Sequence, residues 1–342
     1  MNRLVYVRHV QGRGRRAVVT SGSVTENARE SDRLTHSIVI PTVGRVEPLL
    51  ECMASIARQR LVPEEVIVVP CRDAVGIKRA LGSTKNPFAL KVVESDGCNA
   101  SLQKNLGAKH ANCDIVHFLD DDVELDPAYV DEIDATFRLN RGVVGVGGKV
   151  IDAQARWPVV LRMIRRVFLL NHDNGRGDFL PSGFPAMPFD RRVDVPVRVR
   201  LLMGCASYRR NVLESFQYDE ELGRTHLWED LDLPATLSRN HLLLYQPNAV
   251  LVHHHAPGGR PDVSRYAYAY LYNHHYLVAK HGRRGVYFTV SFWWGHLGAW
   301  AAMVFRAMSG RVPLWPVVSS MFLAERDWLR RKRELMGRFD WV

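Results

Sequence analysis

The sequence predicts an α/β protein with a mainly parallel sheet flanked by helices and a helical, apolar extension at its C-terminal end. Three observations carry this. Short β-branched apolar runs, HSIVIPT at 36–42, EEVIVVP at 64–70, FALKVVE at 88–94 and DIVHFL at 114–119, lack the polar alternation of half-exposed strands, so they belong in a sheet covered on both faces. Helical patterns fall between them: 46–59 spaces Leu49, Leu50, Met53, Ile56 and Ala57 for one face, and 98–111 reads as a second helix. From residue 256 onward the chain changes in kind, to a Tyr-rich helix, an uncharged apolar block and a basic end.

In chain order, 1–33 is rich in Gly, Ser, Arg and Glu without periodicity, and reads as a flexible basic lead-in. No uninterrupted apolar run follows its basic residues, so it is not read as a signal peptide. Residues 34–255 form the main domain. Beyond the strands above it continues with a Gly-rich strand, RGVVGVGGKVID, a Gly/Pro/Asp loop at 172–192, strand character at 197–208, a helix at 227–239 and two closing strands within 241–255. The C-terminal region, 256–342, opens with a helix at 265–282. Its block 285–305 holds no formal charge and is framed by Arg283, Arg284 and Arg306. That length permits a membrane span, but its tryptophans and flanking arginines suit a helix lying in the membrane interface better. Packing against the main domain or a second copy is the third option. The stretch VPLWPVVSSMFLA is too short and Pro-interrupted to span.

Of the 342 residues, 46% are apolar, which excludes wholesale disorder, and the formal charge of +10 points to an anionic partner. Five cysteines without a CxxC pair argue against a disulfide scaffold and for a reduced, cytosol-facing setting.

The most informative segment is HFLDDDVELDP. Asp120, Asp121 and Asp122 follow an apolar strand, at the end where open α/β sheets bind ligands. Strand alternation puts Asp120 and Asp122 on one side and Asp121 on the other. Two carboxylates that close favour a hard divalent cation, Mg²⁺ or Mn²⁺, with positions left for substrate phosphates. A second acidic group, Glu229, Asp230 and Asp232 in WEDLDL, opens a helix, where carboxylates also favour the helix dipole.

Four blocks in order, SIVIPTVGR, LQKNLGAKHANCDIVHFLDDD, MGCASYRRNVLESFQYDEEL and HLWEDLDLPATL, resemble the family 2 glycosyltransferases, inverting enzymes of GT-A fold, over residues 36–281. The resemblance implies a nucleotide-diphosphate sugar donor bound near Pro41, Thr42, Arg45, Lys104, Asp120 and Asp121. It implies a metal at Asp120 and Asp122, approached by His253 at the end of the last strand. Asp230 is then the base that takes the acceptor's proton, Glu229 orients the acceptor or fixes the loop, and Gly204 and Trp228 lie on the acceptor side. The family's second strand ends in carboxylates that contact the nucleoside. Here Pro70 and Cys71 hold those positions and Asp73 is displaced by a few residues, which leaves the donor nucleotide open. In the segment HHHAPGGR, Arg260 could close over phosphates.

Two other classes are weighed. Sugar nucleotidylyltransferases carry a Gly-rich phosphate loop near the first strand, and PTVGRVEP has none. A non-catalytic basic protein on membrane or nucleic acid lacks support, since basic residues are scattered and no nucleic-acid motif is present. The Gln-x-x-Arg-Trp motif of processive synthases is missing, so one sugar per encounter is expected. The expected partners are the donor, a glycan or lipid-linked acceptor, a membrane surface and, as a further option, a second copy. The expected location is the cytoplasm, at the membrane's cytoplasmic face.

Overall fold

The computed structural model describes residues 33–152, 159–170, 176–187, 193–225, 227–258, 262–308 and 313–335. The lead-in 1–32 and Arg260 lie outside them.

The elements run β1 (His36–Thr42), α1 (Val46–Ala57), β2 (Glu65–Pro70), α2 (Ala74–Gly82), β3 (Ala89–Val92), α3 (Ala100–His110), β4 (Ile115–Phe118), β5 (Val123–Leu125), α4 (Tyr129–Leu139), β6 (Val143–Asp152) and α5 (Val159–Val167). They continue with β7 (Asp178–Phe179), β8 (Pro185–Ala186), β9 (Val197–Val199), β10 (Ala206–Arg209), α6 (Arg210–Leu213), α7 (Glu220–Gly223), α8 (Glu229–Leu237), β11 (Leu242–His253), α9 (Val263–His281), α10 (Val286–Arg306) and α11 (Leu314–Leu335).

The main sheet has the order β3-β2-β1-β4-β10-β6-β11-β5, with β9 beside the start of β11. Strands β3, β2, β1 and β4 are mutually parallel, as are β6 and β11; β10 runs antiparallel between the two groups. Every residue of β2 and β4 is buried, as expected for strands covered on both faces. The residues expected to form two closing strands are one, β11, whose register against β6 shifts between Gln246 and Val250. Helix α3 approaches β1 and β2 closely because Gly107 has no side chain: a Cβ there would meet Val39 at 2.3 Å. Gln103 holds the same helix in place by donating to the Thr42 and Val69 carbonyls at 3.0 and 2.7 Å.

Two expectations are corrected. The cysteine pattern suggests reduced thiols, but Cys71, just after β2, is bonded to Cys98, just before α3. Sheet topology brings these loops together, which sequence spacing does not reveal. The second correction concerns 172–192, read as a loop: within it β7 and β8 pair antiparallel as a separate two-stranded sheet. Pro316 falls in the first turn of α11, where no helical N–H is lost, so the helix runs on uninterrupted to Leu335.

The C-terminal helices belong to the same core as the sheet. One cluster of buried side chains runs from Ile38 and Val66 through Leu271 and Leu277 of α9 to Met303 of α10 and Met321 and Trp328 of α11. Among the described residues no helix is long and apolar enough to cross a membrane. Helix α10 instead buries Gly295, His296, Ala299 and Met303 and exposes Val286, Val290, Trp293 and Leu297 along the opposite stripe.

Candidate active site

At the carboxyl ends of β1 and β4 lies a cleft of about 210 Å³, lined by Pro41, Thr42, Arg45, Gln103, Asp120, Asp121, Asp122 and His253 among others. Because β4 stops at Phe118, the aspartates occupy a turn and escape strand alternation. Asp121, expected to point away, is therefore buried in the cleft wall. It accepts from the Thr42 hydroxyl at 2.5 Å and is ion-paired with Arg45. Burial pushes its pKa up, against the pull of Arg45 and Thr42.

Asp122 is the more strongly ionised. It accepts from His253 Nε2 at 3.1 Å, from the Ala256 amide at 2.9 Å and from Arg45 at 3.3 Å. Burial opposes the charge, but His253, Arg45 and this amide outweigh it and hold the pKa at about 2. Arg45 also donates to the Ala256 and Gly258 carbonyls at 2.9 and 3.3 Å, so one guanidinium joins the aspartate turn to the loop after β11. Asp120, Asp122 and His253 place one donor atom each within 4.8 Å of one another. The two carboxylates are the oxygen donors that Mg²⁺ and Mn²⁺ take, and the imidazole adds a nitrogen donor better suited to Mn²⁺ than to Mg²⁺. Of the three adjacent histidines only His253 joins this cluster; His254 pairs with Glu124 at 3.3 Å, and His255 takes a left-handed backbone turn.

The second acidic group is divided by the turn of α8. Asp232 faces α9, pairing with His281 at 2.7 Å and Lys280 at 2.9 Å. Asp230 faces the other way, toward Asp120. The two meet over Gly204, where a Cβ would lie 3.5 Å from Asp230 Oδ2 and 3.7 Å from Asp120 Oδ2. Beneath them sits Lys104 of α3, 1% exposed, with Nζ 3.9 Å from Glu229 and 5.1 Å from the Tyr218 ring centre. Burial works against its charge, yet Glu229, Asp120 and Asp230 together raise its pKa, so it stays a cation. Asp230 is pushed up to about 7, first by burial and then by Glu229 and Asp120, with Lys104 pulling it down.

Trp228, at the N-cap of α8 with a left-handed backbone (φ 61°), rests on Tyr270 of α9 at 4.9 Å and meets Phe184 edge-on at 5.8 Å. Asp73 lies apart from the cleft lining. It caps α2, accepting from the Gly76 amide at 3.0 Å, because the left-handed turn at its own backbone (φ 46°) directs the carboxylate back onto the helix. Gln103 and Tyr218 are site residues that the sequence does not single out. Gln103 neighbours Lys104 in the LQKN block, whereas nothing in the order of residues places Tyr218 under the lysine.

The sequence profile described as Glycosyl transferase family 2 matches residues 37–215, just over half of the chain. A curated relative, the Uncharacterized glycosyltransferase YwdF of Bacillus subtilis (strain 168), is 33% identical over 98 residues, 28% of this chain and 36% of that protein; the match spans little more than a third of the relative. Among solved structures, S. aureus TarS 1-349 in complex with UDP-GlcNAc aligns with a TM-score of 0.58 at 15% identity, covering 86% of this chain and 81% of that one. GalNAc-T7 with UDP, GalNAc and Mn²⁺ aligns with a TM-score of 0.50 at 15% identity, covering 83% and 60%. Both show a shared α/β architecture with a mainly parallel central sheet.

Proposed function

Since the chain belongs to glycosyl transferase family 2, we propose that it moves a single sugar from a nucleotide-diphosphate donor to an acceptor hydroxyl with inversion, using Asp230 as general base. The observation that carries this is the pair of carboxylates facing each other over Gly204: Asp120 from the donor cleft and Asp230, poised near neutrality, from the opposite side. An ionised Asp230 takes the acceptor's proton, and the buried Lys104 keeps that carboxylate ionisable. Arg45 and the loop at 256–258 bound the diphosphate side, and Thr42 orients Asp121. Glu229 steadies Lys104. Gly204 leaves room for the reacting sugar, and Trp228 offers a ring face to the acceptor. The complexes of TarS with UDP-GlcNAc and with UDP support a nucleotide diphosphate as the donor's leaving portion. Asp120, Asp122 and His253 would hold Mg²⁺ or Mn²⁺, whose positive charge would favour departure of the diphosphate; the Mn²⁺ in the GalNAc-T7 complex supports the same reading.

The test is donor binding. Asp122→Ala should remove Mn²⁺-dependent binding of nucleotide sugars, measured by calorimetry, while circular dichroism stays unchanged. Undiminished binding would move the metal elsewhere.

The acceptor is read as a glycan or lipid-linked glycan met at the cytoplasmic face of a membrane. The stripe Val286, Val290, Trp293 and Leu297 supports this, with exposed Arg283 and Arg284 just before α10 and exposed Arg162 and Arg166 on α5. Helix α5 joins α10 there through the Trp294 indole, which donates to the Val167 carbonyl at 2.7 Å. Apolar rings edged by arginines suit an anionic lipid interface. The full chain should float with vesicles containing phosphatidylglycerol, and Val290→Glu with Trp293→Glu should leave it in solution with its thermal midpoint kept. A wild-type chain that ignores vesicles but elutes as a dimer would make the stripe a contact between copies.

A further inference from the structure

Outside the cleft, a compact polar cluster lies where α9, α10 and α11 meet. His275 of α9, His296 of α10 and Glu325 of α11 aim their heteroatoms at one another, each offering one ligand atom within 4.8 Å of the other two. His275 Nε2 is 2.9 Å from Glu325 Oε2, and His296 Nε2 is 2.6 Å from Oε1. Both imidazoles are buried, at 7% and 4% exposure, while Glu325 keeps an edge toward solvent.

Hydrogen-bond polarity constrains this cluster from its far end. The Ser182 carbonyl can only accept, so His274 Nε2, 2.8 Å away, carries a hydrogen. In a neutral ring His274 Nδ1 then has a lone pair alone, and His296 Nδ1, 3.3 Å from it, must donate. A neutral His296 is left with a lone pair on Nε2 facing a carboxylate oxygen at 2.6 Å. Two acceptors that close repel unless positive charge lies between them. Charging His274 instead would set a cation in a fully enclosed position, stacked on Phe184 at 3.8 Å and away from the carboxylate. A proton on His296 would answer one nitrogen, whereas a metal ion would engage both imidazoles and the carboxylate together.

We propose that His275, His296 and Glu325 bind a divalent transition-metal ion of the zinc class that ties α9, α10 and α11 to one another. Two imidazoles and a carboxylate from three separate elements are a donor set for such ions. The His296–His274–Ser182 chain supplies the second hydrogen bond that fixes the tautomer of a metal-bound histidine. Tetrahedral ligands at about 2.0 Å from zinc stand roughly 3.3 Å apart, so binding asks these side chains to part by about half an ångström. Trp300, whose indole donates to Glu325 Oε1 at 3.2 Å, would steady the carboxylate.

The test uses the full chain carrying Asp122→Asn, so that the cleft cluster does not compete, in excess Mg²⁺. Co²⁺ added to this chain should give the visible bands of a four-coordinate site at about one equivalent. Zn²⁺ should displace it and raise the thermal midpoint, because an ion that binds only the folded state stabilises it. Adding His296→Gln or Glu325→Gln should abolish both effects. A chain with neither bands nor a zinc-dependent rise would overturn the proposal and leave an imidazolium–carboxylate pair, visible as a doubly protonated His296 ring by ¹⁵N NMR. Bands that persist in folded His296→Gln and Glu325→Gln chains would overturn it equally. Since the zinc and cobalt responses are read first without those two substitutions, misfolding of either variant cannot decide the outcome.

Discussion

Asp230→Asn should lower turnover about 10²-fold or more, the range lost with a positioned general base, while leaving donor affinity nearly unchanged. The wild-type pH profile gives the second half of this result. In the proposed mechanism the base acts ionised, and Asp230 is pushed up to about 7, so kcat/KM should climb with pH up to about 7 and level above it; the Asn variant should lose that limb. Stability should move the opposite way. A carboxyl whose pKa is raised on folding binds its proton more tightly in the folded state. Folding stability is therefore lost as pH rises from about 4 to about 7. The Asn variant has no such proton, so its thermal midpoint should gain on the wild type as pH increases through that range. Near-normal transfer by the variant, measured with an acceptor present, would assign the base elsewhere.

Lys104→Met is the second large effect. This lysine is the buried cation facing Glu229, Asp120 and Asp230, and breaking a buried charge arrangement by removing one partner costs roughly 3–5 kcal/mol. Methionine fills the space but leaves the carboxylates uncompensated, so Asp230 loses the charge that pulls its pKa down. The acid limb should move to higher pH, and a tenfold weaker acid has about a tenfold smaller ionised fraction at acidic pH. Activity at pH 7 should thus fall far more than activity at pH 9. An equal loss at both would mean that Lys104 acts on the donor directly and leaves Asp230 alone.

The longer strands and helices are legible in the sequence because their signals are local: β1, β2 and β4 are continuous apolar runs, and α1 repeats at helical spacing. Two- and three-residue strands such as β5, β7 and β8 carry too little pattern to read. Helix α2 is not legible either, as AVGIKRALG is only nine residues long and carries two glycines, which favour a turn over a helix. The cleft's aspartates are visible from their position after a strand. Their geometry is not, because alternation holds only while the strand continues, and β4 ends before Asp120. The same limit applies to the Cys71–Cys98 bond and to the Lys104–Tyr218 contact, which depend on which loops the sheet order brings together. Pro316 shows the converse: its residue type suggests a break, and its place in a first turn makes it harmless.

The contact of Trp228 with Tyr270 bears on how this protein can be altered. In the proposed reading Trp228 of the α/β body faces the acceptor, and its ring rests on Tyr270, a buried residue of the C-terminal helices. Acceptor preference is therefore not a module that can be exchanged by grafting one region onto another chain. A swap at residue 256 would separate an aromatic pair that has to be inherited together, and changes in preference should map to paired substitutions across that boundary.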